Sequence, residues 1–121
     1  MKHKNKIIIV LIVILVAVIV LWLTRDGDVQ ASRLDFFARC LSEKKVVMYG
    51  AEWCAHCQNE KKAFGTSFQY INYVECPKDP DKCLAVGIDS YPTWTFPNGR
   101  KLVGEQGLEK LAEESNCQIN K

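Results

Sequence analysis

The stretch "KVVMYGAEWCAHCQNEKKAF", residues 45–64, decides how the rest of the chain is read. After Lys45 its next five residues, VVMYG, are apolar and open on two β-branched valines, the pattern of a short strand buried on both faces. From Cys54 to Phe64 helix formers dominate, and Gly65 supplies a stop. Cys54 and Cys57 therefore stand where a strand gives way to a helix. A thiolate at a helix start faces unpaired N–H groups and the positive end of the helix dipole, and both favour the ionised form. C-x-x-C thiols in such settings titrate at about 3.5–7.5 instead of about 8.5. The two-residue gap puts Cys57 one turn further on, within disulfide reach. Cys54 is expected to be the more exposed sulfur and to attack, and Cys57 to resolve. His56, between them, can lend the thiolate a hydrogen bond or a positive charge, and stabilising the reduced form makes the disulfide a stronger oxidant.

Whether such a pair exchanges disulfides, binds zinc or only staples the chain depends on its compartment. Residues 7–23, "IIIVLIVILVAVIVLWL", carry no charge and no Gly or Pro. As a helix they span about 26 Å, against about 27–30 Å of bilayer hydrocarbon. No polar stripe interrupts the run, which reads as a transmembrane anchor. Lys2, Lys4 and Lys6 precede it, while Arg25 behind it is offset by Asp26 and Asp28. Positive charge stays inside, so residues 1–6 form a cytoplasmic flank and everything after residue 24 faces out. A cleaved signal peptide is the competing reading. Against it, the run exceeds the about 7–15 residues of a signal core, and the nearest small-x-small site, "VQA" at 29–31, lies far downstream. Residues 24–32, "TRDGDVQAS", are polar and aperiodic and read as a linker, leaving 33–121 as the folded domain.

Of 16 basic residues three precede the anchor, which leaves 13 against the 14 acidic ones of the exported part. That balance offers no basic field for nucleic acid or for a lipid surface. Six cysteines in so small an exported domain point to disulfides. The zinc alternative, C-x2-C-x18-C-x6-C, lacks the second close pair of a zinc ribbon.

Outward from the cysteine pair, "SRLDFFARCLSE" places Leu34, Phe37, Cys40 and Leu41 on one helical face, with Ser32 as N-cap. "YINYVEC" (70–76) reads as a second strand, and "PKDPDKC" as a turn into a short helix at 81–86 that stops at Gly87. "YPTWTF" (91–96) and "RKLVG" (100–104) flank an Asn-Gly turn and form a hairpin. "LEKLAEES" (108–115) closes the chain as a helix, apolar at Leu108 and Leu111–Ala112. The order is helix, strand, helix, strand, helix, hairpin, helix: an α/β domain with a central mixed sheet flanked by helices.

"YGAEWCAHC", "YVEC" and "YPTW" together resemble the thioredoxin superfamily, and more narrowly the thioredoxin-like domains associated with bacterial homologues of vitamin K epoxide reductase. The likeness covers roughly residues 34–117. It implies a thioredoxin-like fold behind the membrane helix, and a cis bond at Tyr91-Pro92 lying against the active-site sulfur. Trp53, Tyr91 and Pro92 would then line the substrate face, where backbone groups meet an extended chain. It also implies a disulfide between Cys76 and Cys83. The two remaining cysteines, Cys40 and Cys117, would bridge the first and last helices of the domain at the edge away from the active site. No cofactor and no metal is implied.

One departure stands out. Many thioredoxins carry a buried acid six residues before the first cysteine, and here that position is Met48. Proton removal from Cys57 falls to water or to a neighbour, with Glu52, Glu75 and Lys61 the nearby choices. Phe36, Phe37, Phe64, Phe68, Trp94 and Phe96 read as core, and "EKK" at 60–62 as a solvated helix face. The expected function is a membrane-anchored, outward-facing thiol–disulfide oxidoreductase that oxidises the thiols of exported proteins. A membrane partner similar to vitamin K epoxide reductase would reoxidise it and pass electrons to quinone, for which the apolar span offers no site of its own. Two alternatives stay open: a reductase or isomerase fed by a membrane electron donor, and a non-catalytic binding module whose cysteines are all structural.

Overall fold

The structure, a computed structural model, describes residues 1–119, with side chains at all of these except residue 2 and residues 25–33. Contacts divide the chain into two compact units, Met1–Gln30 and Ala31–Lys121. Helix α1 covers Lys2–Glu43, and its segment His3–Thr24 is long and apolar enough to cross a membrane. The expected linker 24–32 thus lies within a helix, and no helix begins at Ser32. Polarity by itself does not end a helix. The stretch holds no proline, and Gly27 costs only about 1 kcal/mol relative to alanine. The side chains that carry the linker and capping expectations, from Arg25 to Ser32, lie outside those described.

In the second unit, strand β1 (Val47–Gly50) pairs in parallel with β2 (Asn72–Glu75) and antiparallel with β3 (Thr93–Thr95), which turns back into β4 (Lys101–Val103). The sheet order is β2-β1-β3-β4. Helix α2 (Ala55–Phe64) makes the β1–β2 crossover, α3 (Pro80–Ala85) follows β2, and α4 (Leu108–Ser115) follows the hairpin. A βαβ unit, an antiparallel hairpin and a closing helix make up the thioredoxin-like fold. Gly65, at φ +56°, ends α2 as its sequence indicates; a 3-10 helix at Gly65–Tyr70, unforeseen, then fills the gap before β2. Gly99, at φ +82°, closes the hairpin turn.

Alternate side chains of β1 enter opposite faces of the sheet. Val46, just before the strand, and Met48 join the larger core with Leu34, Phe37, Leu41, Phe64, Trp94 and Leu111, whereas Tyr49 packs with Cys76, Cys83 and Ile88. Phe64 is the hub of the larger core, its ring centroid 5.7 Å from that of Phe37 and 6.0 Å from that of Trp94. Phe36, read as core, is 64% exposed instead. It sits one residue, about 100° of helix, from the inward-facing Phe37.

The structure contains disulfides Cys40–Cys117 and Cys76–Cys83. The second removes two of the four sulfurs that the zinc alternative requires. Chain entropy makes the bridge whose ends are 77 positions apart worth up to about 4.5 kcal/mol and the one whose ends are seven apart about 2.5 kcal/mol. Replacing Cys40 and Cys117 together by serine is therefore expected to lower the urea midpoint of the detergent-solubilised chain more than replacing Cys76 and Cys83. The reverse order would mean that the loop-closure account does not govern these bridges.

Candidate active site

Cys54 is the N-cap of α2, with extended backbone (φ −78°, ψ 119°). Its Sγ accepts the N–H of Cys57 at 3.4 Å, the role a serine or aspartate oxygen plays at other helix starts. Its thiol points at the carbonyl of Tyr91, 3.7 Å away, and the Tyr91–Pro92 bond that follows is cis. Cys54 and Cys57 are both unbonded thiols. The expectation of an exposed Cys54 needs correcting: the residue is only 8% exposed, because the Tyr91 backbone lies over it. It is still the more accessible of the two, since Cys57 is fully enclosed.

Cys57 reaches its place through a gap in β1. A Cβ added to Gly50 would stand 2.8 Å from Cys57 Sγ, closer than real side chains come, so the strand must carry glycine there for α2 to seat. Burial pushes the Cys57 thiol up to about 11; its hydrogen bond to Cys54 and the Cys54 charge add to this, while the backbone of Ala51 and Lys61 oppose it. The pair is asymmetric, with the deeper sulfur held as a thiol at neutral pH.

Trp53 is 74% exposed, its ring set edge-on to that of Tyr91 at 6.1 Å. With the backbone at Pro92 these rings frame the approach to Cys54. His56 is also exposed, and its Nδ1 lies 3.0 Å from Glu105 Oε2. Its hydrogen bond thus goes to Glu105 and not to Cys54, so any influence on the thiolate acts through charge, which Glu105 offsets. Contact with His56 and Asn59 holds the Glu105 carboxyl below the usual range.

Two groups escaped the sequence reading. Glu60, taken as part of a solvated face, is 1% exposed. Its carboxylate accepts Trp94 Nε1 at 2.8 Å and the backbone N–H groups of Gln106 (2.8 Å) and Gly107 (2.6 Å), tying α2 to β3 and to the loop before α4. The signal was its position, three residues after Cys57 and four before Phe64, on the face both bury. The other is Tyr73, whose hydroxyl donates to Glu75 Oε2, while Glu75 Oε1 accepts the backbone N–H of Glu52 at 2.7 Å. Burial works against the Glu75 charge, but these bonds and the nearby Lys61 and Lys78 outweigh it and hold the carboxyl low. Of the nearby choices, Lys61 lies 4.0 Å above the Tyr73 ring and the Glu52 side chain turns toward Lys78.

Over 92 residues, 69% of this chain, the sequence is 36% identical to the Arabidopsis thaliana protein named thiol-disulfide oxidoreductase LTO1, covering 24% of that protein. Over 79 residues, 58% of this chain, it is 32% identical to a protein disulfide-isomerase of Arthroderma benhamiae, covering 15% of it. The chain thus spans a quarter or less of the length of these relatives. A solved structure of Fasciola hepatica thioredoxin is 21% identical, with a TM-score of 0.47, over 59% of this chain and 76% of that one. No family model matches the chain. With the strand order above, the two sequence relatives support the thioredoxin-like superfamily.

The asymmetry of the two thiols can be measured. With Cys54 replaced by serine, alkylation of Cys57 by iodoacetamide is expected to rise with pH along a curve centred well above the 8.5 or so of a free thiol, because a raised pKa leaves less thiolate at every lower pH. A midpoint at or below that value would show that burial does not control this sulfur. Glu60→Ala, which strands one indole and two backbone donors, is expected to destabilise the domain by about 3 kcal/mol in urea unfolding.

Proposed function

We propose that this chain is a membrane-anchored thiol–disulfide oxidoreductase whose domain faces out of the cytoplasm and oxidises cysteines of exported proteins. The observation that carries the reading is the unbonded Cys54–Cys57 pair at the start of α2, in a domain whose other four cysteines are already closed into bridges. Structural disulfides persist in oxidising compartments, which fits an exported domain. The apolar segment His3–Thr24 fits a single-pass anchor with the three N-terminal lysines on the cytoplasmic side.

In the oxidised enzyme a substrate thiolate attacks Cys54 Sγ. A mixed disulfide forms, the Cys54–Cys57 bond breaks, and its electron pair passes to Cys57 Sγ, which takes up a proton. A second substrate thiolate then attacks the substrate sulfur of the mixed disulfide; the substrate leaves with a disulfide and Cys54 departs as thiolate. Two electrons have moved to the enzyme. A quinone-linked membrane partner similar to vitamin K epoxide reductase takes them back through its own disulfide, and the anchor raises the local concentration of that encounter. Cys54 Sγ departs at the start of α2, where it accepts the Cys57 N–H. The Trp53 and Tyr91 rings receive apolar segments of unfolded chains, with the backbone at Pro92 beside the sulfur.

Trapping tests this reading in cells. With Cys57→Ser, mixed disulfides through Cys54 are expected to accumulate with exported proteins and with a quinone-reducing membrane protein, and Cys54→Ser is expected to capture neither. Absence of both classes from the Cys57→Ser adducts would overturn the proposal.

A further inference from the structure

We infer that Tyr73 and Glu75 form the proton relay of the resolving cysteine, in place of the buried acid that Met48 displaces. The inference rests on the reading that Cys54 attacks and Cys57 resolves.

Each time the mixed disulfide at Cys54 is resolved from within, Cys57 must lose a proton; each time the pair is opened by a substrate, it must gain one. The sulfur is fully enclosed, so bulk water does not reach it freely. Burial holds the thiol's pKa above the usual range, so little of it is thiolate at neutral pH. A local acceptor is needed.

The groups around Cys57 narrow the choice. Met48 is buried and offers no proton chemistry. Glu60, a buried carboxylate, is engaged by Trp94, Gln106 and Gly107, and His56 is turned out to Glu105. Tyr91 presents a carbonyl toward Cys54. Lys61 is a cation that lowers the Cys57 pKa without accepting its proton. Tyr73 remains. The point where a Gly50 Cβ would stand is 2.8 Å from Cys57 Sγ and 3.3 Å from the Tyr73 hydroxyl oxygen, so sulfur and phenol meet across the space this glycine leaves open. The two atoms are thus at most about 6 Å apart, a gap that one water spans with a hydrogen bond to each.

The phenol is oriented for transfer. Its hydrogen is committed to Glu75 Oε2, which leaves the oxygen lone pairs free to accept. Glu75 is itself fixed by the Glu52 N–H in the loop that leads to Cys54, and Lys61, over the Tyr73 ring, favours the carboxylate. As Cys57 attacks Cys54, its proton passes through one water to the Tyr73 oxygen while the Tyr73 hydrogen moves to Glu75. The Cys57–Cys54 bond forms, the partner's sulfur leaves Cys54 with the bonding electrons, and Glu75, half-exposed at the end of β2, releases the proton to solvent. When a substrate thiolate opens the pair, the same steps run backwards. Tyr73 never stands as a phenolate, since burial and the Glu75 charge hold its own pKa far above the usual phenol range.

Stopped-flow reaction of the reduced, detergent-solubilised full chain with 5,5′-dithiobis(2-nitrobenzoate) separates the two sulfurs. The first release of thionitrobenzoate reports attack by Cys54, and the second reports resolution by Cys57. Tyr73→Phe and Glu75→Gln, made separately so that a folding failure of one does not decide the matter, are each expected to lower the ratio of second-phase to first-phase rate at least about tenfold at neutral pH. The deficit is expected to close above about pH 10, where hydroxide takes the proton unaided. A wild-type second phase that both variants leave within about twofold, with the same pH profile, overturns the relay alone. A wild-type chain with no second phase overturns the reading of Cys57 itself, and the relay with it.

Discussion

Everything at the candidate site depends on how closely α2 can approach the end of β1. Glycine at position 50 leaves a hollow in the strand, and Cys57 Sγ occupies it. That one contact buries the second sulfur, sets the first as N-cap over the helix start, and turns the intervening Ala55 and His56 outward. The chemical asymmetry of the pair follows from position along a single helical turn. The outer sulfur has a backbone donor at hand, whereas at the inner one desolvation and a neighbouring thiol outweigh the backbone of Ala51 and Lys61.

A helix seated so tightly needs a second anchorage to keep it from rocking, and Glu60 supplies it one turn beyond Cys57. A buried carboxylate is costly by itself. Here it answers an indole N–H and two backbone N–H groups that would otherwise be orphaned inside the protein, so the three donors and the charge justify one another. The same loop carries Glu105, which partners His56 from outside. Buried and exposed acids thus fix α2 to the segment before α4 from two sides. The Cys40–Cys117 bridge secures α4's far end, where the chain would otherwise be free to fray.

Much of the architecture was legible because local rules and tertiary demands agree. The apolar run at 46–50, the glycine stop at 65, the Asn-Gly turn at 98–99 and the apolar face of 108–115 each specify one element by themselves. The cysteine spacing, read against strand and helix, places the unbonded pair at the start of α2. Elsewhere the rules fell short for identifiable reasons. A polar stretch at 24–32 was read as linker although nothing in it forbids a helix. Phe36 was assigned to the core from its hydrophobicity alone, although its neighbour Phe37 already claims the inward direction. Glu60 was read by its charge and not by its face.

What the chain determined by itself is the four strands, the helices after β1, the apolar N-terminal segment and the chemical identity of the paired thiols, since these rest on periodicity, turn residues and spacing within a few residues. What only the tertiary structure decided is which groups meet. Strand pairing sets Tyr73 of β2 beside Met48 of β1, where its phenol faces Cys57 from α2 across Gly50. It also decides that Cys54 lies under the Tyr91 backbone and that His56 faces Glu105. Contacts between residues 16 to 49 positions apart depend on the register of strands and the seating of a helix, and no short-range pattern encodes those.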